Sequence, residues 1–258
     1  MILVKPQLIV NQQTANETIR IWQQGDRRWL DFNDGLVQSE INLAQAELLT
    51  SPLNRAMLAG MIFEEPPKRV LLVGTGGGAT ARYFSHRFPD VKGEAVEISE
   101  SVASMAINYF EFPEGKNWTL IHDDIRHYIH HCTHCYDLIL IDIAIDKITP
   151  EWIIGHDFLS QCRTLLRPLG HVALNLLVND SNEFMHYLAA IRREFSRQTV
   201  CLSIPNYRNS VILAFNNAPL YPTISPAHLA QLEQNWAIEF KVFYQQMLID
   251  NPKNSGVF

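Results

Sequence analysis

The chain has 258 residues, of which 47% are hydrophobic and 19% are charged, with 27 acidic side chains against 21 basic ones. This composition is typical of a globular protein that buries a core without disulfide or metal support, and it excludes a disordered or low-complexity chain. The formal charge of −6 disfavours a nucleic-acid-binding surface, which needs clustered Lys and Arg, and it suits a small cationic substrate better.

The first 47 residues predict a small β-rich region. Thr18–Gln23 and Arg28–Phe32 are predicted strands, because they flank the turn residues Gln24-Gly25-Asp26. The next segment, Leu48–Phe63, has apolar residues at helical spacing and is predicted to be a helix. We therefore expect an N-terminal β-region over residues 1–47 and a catalytic domain over residues 48–258.

From Arg69 onward, short apolar runs alternate with amphipathic stretches, which is the pattern of a parallel sheet with crossover helices. The predicted strands are Val70–Val73, Gly93–Val96, Thr119–Ile121, Leu138–Ile141 and His171–Leu176. The predicted helices are Ala79–Phe88, Ser101–Phe110, Ile125–His131, Trp152–Leu166 and Asn182–Phe195. The tripeptide Pro168-Leu169-Gly170 is predicted to mark the join between the fourth helix and the fifth strand.

The pattern changes after Phe195. Val200–Ile204 and Val211–Phe215 flank a turn and predict a β-hairpin, whose strands pair antiparallel. A mostly parallel sheet closed by such a hairpin predicts the Rossmann-like α/β fold of class I methyltransferases instead of an ordinary dinucleotide-binding sheet. The last segment, Pro226–Ile249, predicts one or two helices with an apolar side.

A glycine-rich turn follows the first strand of this array, in the sequence Val70–Ala79. Glycines permit a positive φ and a close backbone approach to a ligand, and the following helix start offers free N–H groups. The spacing also satisfies the dinucleotide fingerprint, so the turn alone does not distinguish a nicotinamide dinucleotide from an S-adenosyl ligand, or a ligand site from a tight turn. The residues assigned to the cofactor site are Gly74, Thr75, Gly76 and Gly78.

Carboxylates follow the second and third strands. Glu97 ends the second strand, where it can accept hydrogen bonds from ribose hydroxyls, and Ile98 is assigned to the same site. Asp124 follows the third strand, where it can accept from an adenine amino group while Ile125 covers the ring. This arrangement favours an S-adenosyl ligand over a pyrophosphate-bridged one. The alternatives are a solvated carboxylate at Glu97 and a helix N-cap at Asp124, a role that can coexist with binding.

Asp142 ends the fourth strand, at the sheet edge where open α/β sheets place their reacting groups. A partly desolvated carboxylate can orient a cationic amine and accept its proton. We therefore predict Asp142 to be the catalytic base.

Together these features resemble the spermidine synthase (polyamine aminopropyltransferase) superfamily, particularly its bacterial spermidine synthase-like branch. The resemblance covers nearly the whole chain. The similar segments are Leu30-Asp31, Gly35–Ser39, Val70–Ala79, Val96-Glu97, Asp124, Ile141-Asp142, Leu166–Gly170 and Ile204–Tyr207.

The resemblance implies a transferase whose donor is decarboxylated S-adenosylmethionine and whose acceptor is a small amine such as putrescine. It places Gln38 at the thioadenosine end of the donor, Asp142 as the base, and Asp146 and Tyr207 in the acceptor pocket. It implies no metal ion. It also suggests a homodimer built partly through the N-terminal β-region.

Two departures keep other functions open. Gly77 stands where the family usually has an Asp that pairs with the donor's propylamine, and Glu40–Leu49 lacks the family's aromatic acceptor motif. One alternative is a methyltransferase that uses intact S-adenosylmethionine on a small molecule. The other is a non-catalytic nucleoside-binding module, which would have no need for a carboxylate at Asp142.

A cluster of histidines and cysteines lies between His127 and Cys135, and Cys132-Thr133-His134-Cys135 has metal-ligand spacing. No second ligand pair follows at a suitable distance, so we predict a polar loop and no metal site. The uneven cysteine spacing and the absence of a signal peptide or of about 20 consecutive apolar residues predict a cytoplasmic protein that does not bind membranes.

Overall fold

The structure is a computed structural model that describes residues 5–14, 17–115, 117–145, 147–219 and 224–257. These residues form a four-stranded sheet, a seven-stranded sheet and eight α-helices. Asp146, which the resemblance places in the acceptor pocket, lies outside the described residues. No helix among the described residues has the length and apolar character needed to cross a membrane.

The N-terminal sheet is antiparallel, and its strands follow one another in chain order. They are β1 (Gln7–Gln13), β2 (Thr18–Gln24), β3 (Arg27–Asp31) and β4 (Ser39–Asn42). The sequence predicted β2 and β3 but missed the two outer strands. β1 is largely exposed and β4 has four residues, so neither shows the alternation of buried and polar positions that identifies a strand.

The large sheet is mostly parallel and is closed by an antiparallel hairpin, as predicted, and its strand order is β10-β11-β9-β8-β5-β6-β7. The strands β5 to β9 are parallel, and the hairpin β10–β11 adds to β9 in the antiparallel direction. The bounds are β5 (Arg69–Val73), β6 (Lys92–Glu97), β7 (Trp118–His122), β8 (Tyr136–Ile141), β9 (Leu166–Leu177), β10 (Thr199–Ser203) and β11 (Asn209–Phe215). The predicted Rossmann-like fold is confirmed.

Most helices begin and end within two residues of their predicted bounds. They are α1 (Pro52–Met57), α2 (Ala79–Arg87), α3 (Glu100–Tyr109), α4 (Ile125–His131), α5 (His156–Leu165), α6 (Ser181–Glu194), α7 (Pro226–Trp236) and α8 (Phe240–Asp250).

Three predicted bounds were wrong. The single helix expected over Leu48–Phe63 is the six-residue α1 followed by a 3₁₀ turn at Ala59–Ile62. The helix expected over Trp152–Leu166 is a 3₁₀ turn and α5, separated at Gly155, which has an extended conformation. Pro168-Leu169-Gly170 lies inside β9 and does not precede it. Apolar spacing does not distinguish a continuous helix from one broken by tighter turns.

Helices cover both faces of the large sheet. One face packs against α1, α2, α7 and α8. In this layer the ring centroids of Phe88 and Trp236 are 4.4 Å apart. The other face packs against α4, α5 and α6. The C-terminal helices, whose partner could not be inferred from the sequence, therefore complete the core of the large sheet.

The N-terminal sheet packs on α3. Ile19, Ile21 and Leu30 of that sheet share a buried cluster with Val102 and Met105 of α3. The Arg28 guanidinium donates a hydrogen bond to the backbone carbonyl of Tyr109 at 2.7 Å. This packing places β4 beside the glycine turn that follows β5.

The strand order reverses at β5. From β5 the chain runs through β6 and β7 on one side and then returns to β8 on the other. The loops after β5 and β8 therefore diverge, and a crevice opens at the carboxyl ends of the strands.

Candidate nucleoside site

A cleft of about 470 Å³ lies at this switch point, between the carboxyl ends of β5–β8 and the N-terminal sheet. Its volume is within the range of small-molecule sites. The cleft brings together nine of the residues predicted from the sequence: Gln38, Gly74, Thr75, Gly76, Glu97, Ile98, Asp124, Ile125 and Asp142.

The glycine turn adopts a conformation that requires glycine. Gly74 and Gly76 have φ angles of 82° and 49°, in the left-handed region that side chains disfavour. A Cβ atom on Gly74 would lie 2.3 Å from the carbonyl oxygen of Asp142. The turn therefore lets β5 and the end of β8 approach each other. Gly78 caps α2 and does not line the cleft, so its assignment to the cofactor site stays a prediction.

The Glu97 carboxylate joins the glycine turn to the end of β6. Its two oxygens accept hydrogen bonds from the backbone N–H of Thr75 at 2.9 Å and of Ser99 at 3.0 Å. The residue is only 8% exposed. Each carboxylate oxygen keeps a second lone-pair site, so Glu97 can still accept from two ligand hydroxyls.

Glu17 is a cleft residue that sequence reasoning missed. Its carboxylate accepts a hydrogen bond from the hydroxyl of Ser99, which also caps the N-terminus of α3. Glu17 directly precedes β2, in a segment whose sequence carries no recognisable motif, so no local signal identifies it.

Asp124 caps α4 and also pairs with Arg126. One oxygen accepts from the backbone N–H of Arg126 at 2.8 Å, and the guanidinium approaches the other oxygen at 2.6 Å. The hydrogen bond from Arg126 holds the pKa of the Asp124 carboxyl below its ordinary value. The Arg126 guanidinium in turn lies 5.3 Å from the ring centroid of Trp152, which also lines the cleft.

Asp142 lies where β8 enters the cleft. The side-chain amide of Asn175 on β9 donates to one of its oxygens at 2.7 Å. Burial raises the pKa of the Asp142 carboxyl, and the hydrogen bond from Asn175 opposes that rise. A carboxyl with a raised pKa is a better proton acceptor when it is ionised.

The described cleft lining is strongly acidic. Arg126 is its only Lys or Arg, against five carboxylates: Glu17, Glu97, Asp123, Asp124 and Asp142. A pyrophosphate would meet net repulsion here, whereas a sulfonium or ammonium group would be attracted. The lining therefore fits a cationic nucleoside better than a dinucleotide.

Sequence comparison relates the chain to two groups of transferases, although no family model matches it. The polyamine aminopropyltransferase of Neisseria meningitidis is 26% identical over 244 residues, which are 93% of this chain and 92% of that protein. An eEF1A lysine and N-terminal methyltransferase homolog of Drosophila pseudoobscura pseudoobscura is 23% identical over 76% of this chain and 29% of that protein. The prediction that the protein is a transferase is confirmed.

Solved structures share the fold. A probable spermidine synthase from Corynebacterium glutamicum matches with a TM-score of 0.71 and 19% identity, over 88% of this chain and 86% of that one. The chain has a spermidine synthase-like fold. A spermidine synthase in complex with the transition-state analogue AdoDATO matches over 94% of this chain and 85% of that one, at a TM-score of 0.70 and 16% identity. Human methyltransferase-like protein 13 in complex with SAH matches over 73% of this chain and 91% of that one, at a TM-score of 0.64 and 23% identity.

Gly77 lies in the glycine turn, at the position where the sequence departs from the family that it resembles. Its backbone N–H donates to the Ser39 hydroxyl oxygen at 2.8 Å. A Cβ atom at Gly77 would lie 2.6 Å from that oxygen and 3.0 Å from the ring of Phe110. The space for a side chain at position 77 is therefore filled by neighbouring residues.

A buried guanidinium holds this part of the turn in place. Arg82 on α2 is almost fully buried and donates to the backbone carbonyls of Ala46, Gly77 and Phe110. Burial lowers the pKa of Arg82 to about 10. Arg82 thus connects the glycine turn to the segments that carry Ser39 and Phe110, and its position in an ordinary amphipathic helix gave no sign of this role.

Two predicted features lie away from the cleft. Tyr207 lies in the loop between β10 and β11, is 48% exposed and does not line the cleft, so its place in an acceptor pocket stays a prediction.

In the histidine and cysteine cluster, His134 pairs with Glu94 at 2.9 Å. Within the described ranges, no three His, Cys, Asp or Glu side chains lie close enough together to hold a metal ion.

Proposed function

We propose that the protein transfers an aminopropyl group from decarboxylated S-adenosylmethionine to a small amine such as putrescine. The observation that carries the proposal is the position of Asp142, a partly desolvated carboxylate in an acidic cleft that also holds the glycine turn and Glu97. The relatives named as polyamine aminopropyltransferases, which align over nearly the whole chain, support it.

In this proposal the donor nucleoside lies along the carboxyl ends of β5–β7. Glu97 accepts from the ribose hydroxyls and Asp124 from the adenine amino group, while Ile125 and Ile98 cover the ring. Ile98 is 64% exposed, which is consistent with an apolar side chain that a ligand covers. Gln38 contacts the thioadenosine end. The AdoDATO and SAH complexes of structural neighbours support an S-adenosyl donor.

Asp142 acts on the acceptor. Its carboxylate orients the amine and accepts one proton, which frees the nitrogen lone pair. The nitrogen then attacks the carbon bonded to the sulfonium, so that a C–N bond forms, the C–S bond breaks and its electron pair stays on sulfur as a neutral thioether. Alignment of the two substrates supplies most of the acceleration. In this proposal Asp146 and Tyr207 contact the acceptor.

A second candidate is methyl transfer from intact S-adenosylmethionine to a small molecule. The packing at Gly77 favours it, because no carboxylate at this position can pair with the donor's propylamine. The methyltransferase relatives also support it. The bond changes are the same, except that a methyl carbon is transferred and S-adenosylhomocysteine leaves.

Calorimetric titration of the purified protein distinguishes these functions. The ligands are decarboxylated S-adenosylmethionine, S-adenosylmethionine, methylthioadenosine and NAD. Tighter binding of the decarboxylated donor supports aminopropyl transfer, and tighter binding of the intact donor supports methyl transfer. Binding of NAD alone would contradict both.

We also propose that the protein is a cytoplasmic homodimer that contacts its partner through the N-terminal sheet. Among the described residues, its outer strand β1 pairs with another strand on one edge only, and it exposes Leu8 and Ile9. Light scattering after chromatography tests this: the L8K/I9K double variant should elute as a monomer if the strand forms the interface.

A further inference from the structure

Asn175 lies beside Asp142 in the large sheet. The parallel register pairs Ile141 of β8 with Leu174 of β9, so the next residues along each strand, Asp142 and Asn175, are neighbours at the cleft edge. The Asn175 amide nitrogen donates to Asp142 Oδ1 at 2.7 Å. Asn175 is only 6% exposed, so its amide has little access to water.

A second amide contacts the first. Asn209 begins β11, which pairs antiparallel with β9 in a register that sets Val211 against Asn175. Asn209 is two residues before Val211 and therefore lies on the same face of the sheet. Its side-chain amide nitrogen donates to Asn175 Oδ1 at 2.9 Å.

The two contacts fix the orientation of the Asn175 amide. Because its oxygen accepts from Asn209, its NH₂ group must face Asp142. If the Asn175 amide were flipped, its oxygen would face the Asp142 carboxylate and its NH₂ group would face the NH₂ group of Asn209. Both hydrogen bonds would then be lost. An amide held as a donor can satisfy an ionised carboxylate but cannot accept from a protonated one.

We propose that Asn175 and Asn209 form a two-amide relay that positions Asp142, by holding its Oδ1 as an acceptor and leaving Oδ2 free for the second substrate. Both amides are positioning residues. Use of Oδ2 by an amine depends on the proposed function, whereas the relay itself does not.

Other charged groups do not replace the relay. The cleft also contains Glu17, Glu97, Asp123, Asp124 and Arg126. Among the described residues, Asn175 is the one side chain that makes a hydrogen bond or ion pair with the Asp142 carboxylate. Burial favours protonation of Asp142, and the hydrogen bond from Asn175 opposes it.

Titration of the Asp142 carboxyl, followed by ¹³C NMR on the full chain, tests the relay without any assay of activity. The variants are Asn175→Leu, which has a similar volume and no amide, Asn209→Ala, and the double variant. Ser210→Ala is the control, because Ser210 is the next residue of β11 and its side chain points to the opposite face.

We expect Asn175→Leu to raise the pKa of Asp142 by about one to two units, the effect of losing one hydrogen bond to a charged group. Asn209→Ala should raise it by a smaller amount, and it should add nothing in the Asn175→Leu background because Asn209 acts through Asn175. Ser210→Ala should leave the pKa unchanged. An unchanged pKa in Asn209→Ala, or additive shifts in the double variant, would overturn the relay.

If Asn175→Leu does not fold, the comparison of Asn209→Ala with Ser210→Ala still tests the relay, because both variants keep the amide that contacts Asp142 and add no charge near it. Aminopropyl or methyl transfer by the same variants is a separate measurement, so loss of the proposed function would leave the relay standing.

Discussion

The backbone N–H of Gly77 donates to the hydroxyl oxygen of Ser39 at 2.8 Å and so joins the glycine turn to the N-terminal sheet. The contact closes the space that a side chain at position 77 would need. The same bond leaves the Ser39 hydroxyl hydrogen available to a ligand in the cleft, because the oxygen is the acceptor. The space at position 77 therefore depends on how the glycine turn packs against the N-terminal sheet.

Substitution of Gly77 tests this packing. We expect Gly77→Ala to destabilise the protein by about 1–3 kcal/mol, the cost of overpacking a closed site. Ser39→Ala removes the oxygen that the new methyl group would meet, so the double variant should be more stable than the sum of the two single effects predicts. Chemical denaturation measures the free energy of unfolding of the two single variants and the double variant. Additive effects would show that Ser39 does not set the cost.

Asp142→Asn should abolish turnover while leaving affinity for methylthioadenosine within a few-fold. An amide has nearly the shape of a carboxylate but cannot accept the proton that the amine would lose in the proposed reaction. Steady-state kinetics and calorimetry measure the two quantities. Asp90→Asn, an exposed change of the same charge, is the control and should keep full activity. Turnover that survives Asp142→Asn would remove Asp142 from the mechanism.

Glu97→Gln should weaken nucleoside binding about tenfold or more. The Glu97 carboxylate accepts from two backbone N–H groups, and a glutamine would turn an NH₂ group toward one of them or toward the ligand. Calorimetry with methylthioadenosine gives the affinity. Glu100→Gln, in the first turn of α3, is the matched control because it removes one nearby charge without lining the cleft. Equal affinities in both variants would contradict a role in ribose binding.

Glu64 predicts a pH dependence of stability. The residue is 5% exposed, and burial, with a smaller contribution from Glu65, raises its pKa from 4.5 to about 8. Between these values the unfolded state ionises and the folded state does not. The contribution of Glu64 to the free energy of unfolding is therefore most favourable to the folded state below pH 4.5, and it is lost as the pH rises toward 8.

Glu64→Gln should flatten the dependence of the free energy of unfolding on pH. The wild type should therefore lose more stability than the variant between pH 5 and about 8. Urea denaturation at several pH values measures the difference. Glu65→Gln is the control for loss of a neighbouring charge. It should change the slope of the free energy of unfolding against pH less than Glu64→Gln does. Parallel curves for the wild type and Glu64→Gln would show that Glu64 keeps an ordinary pKa in the fold.

Many residues that line the candidate site could be selected from the sequence because strand ends can be recognised locally. Glu97, Asp124 and Asp142 each follow an apolar run, and the carboxyl ends of parallel strands meet at one edge of a sheet. The glycine turn carries its own signal, because few other residues adopt its conformation.

The positions of Glu17, Arg82 and Asn175 could not be predicted in the same way. Each acts through a partner distant in the sequence: Glu17 through Ser99, Arg82 through the carbonyls of two other segments, and Asn175 through a neighbouring strand. A polar residue inside the otherwise apolar run of residues 172–177 was the one available hint for Asn175, and the sequence does not say what lies beside it.

From Arg69 onward the sequence by itself determined the order of strands and helices and the carboxylates at the strand ends, because apolar periodicity and turn chemistry are local properties. Only the tertiary structure decided what surrounds those groups. Ser39 and Phe110 close the space at Gly77, and Asn175 reaches Asp142, because separate segments pack together there. Such contacts depend on sheet register and helix packing, which involve the whole chain.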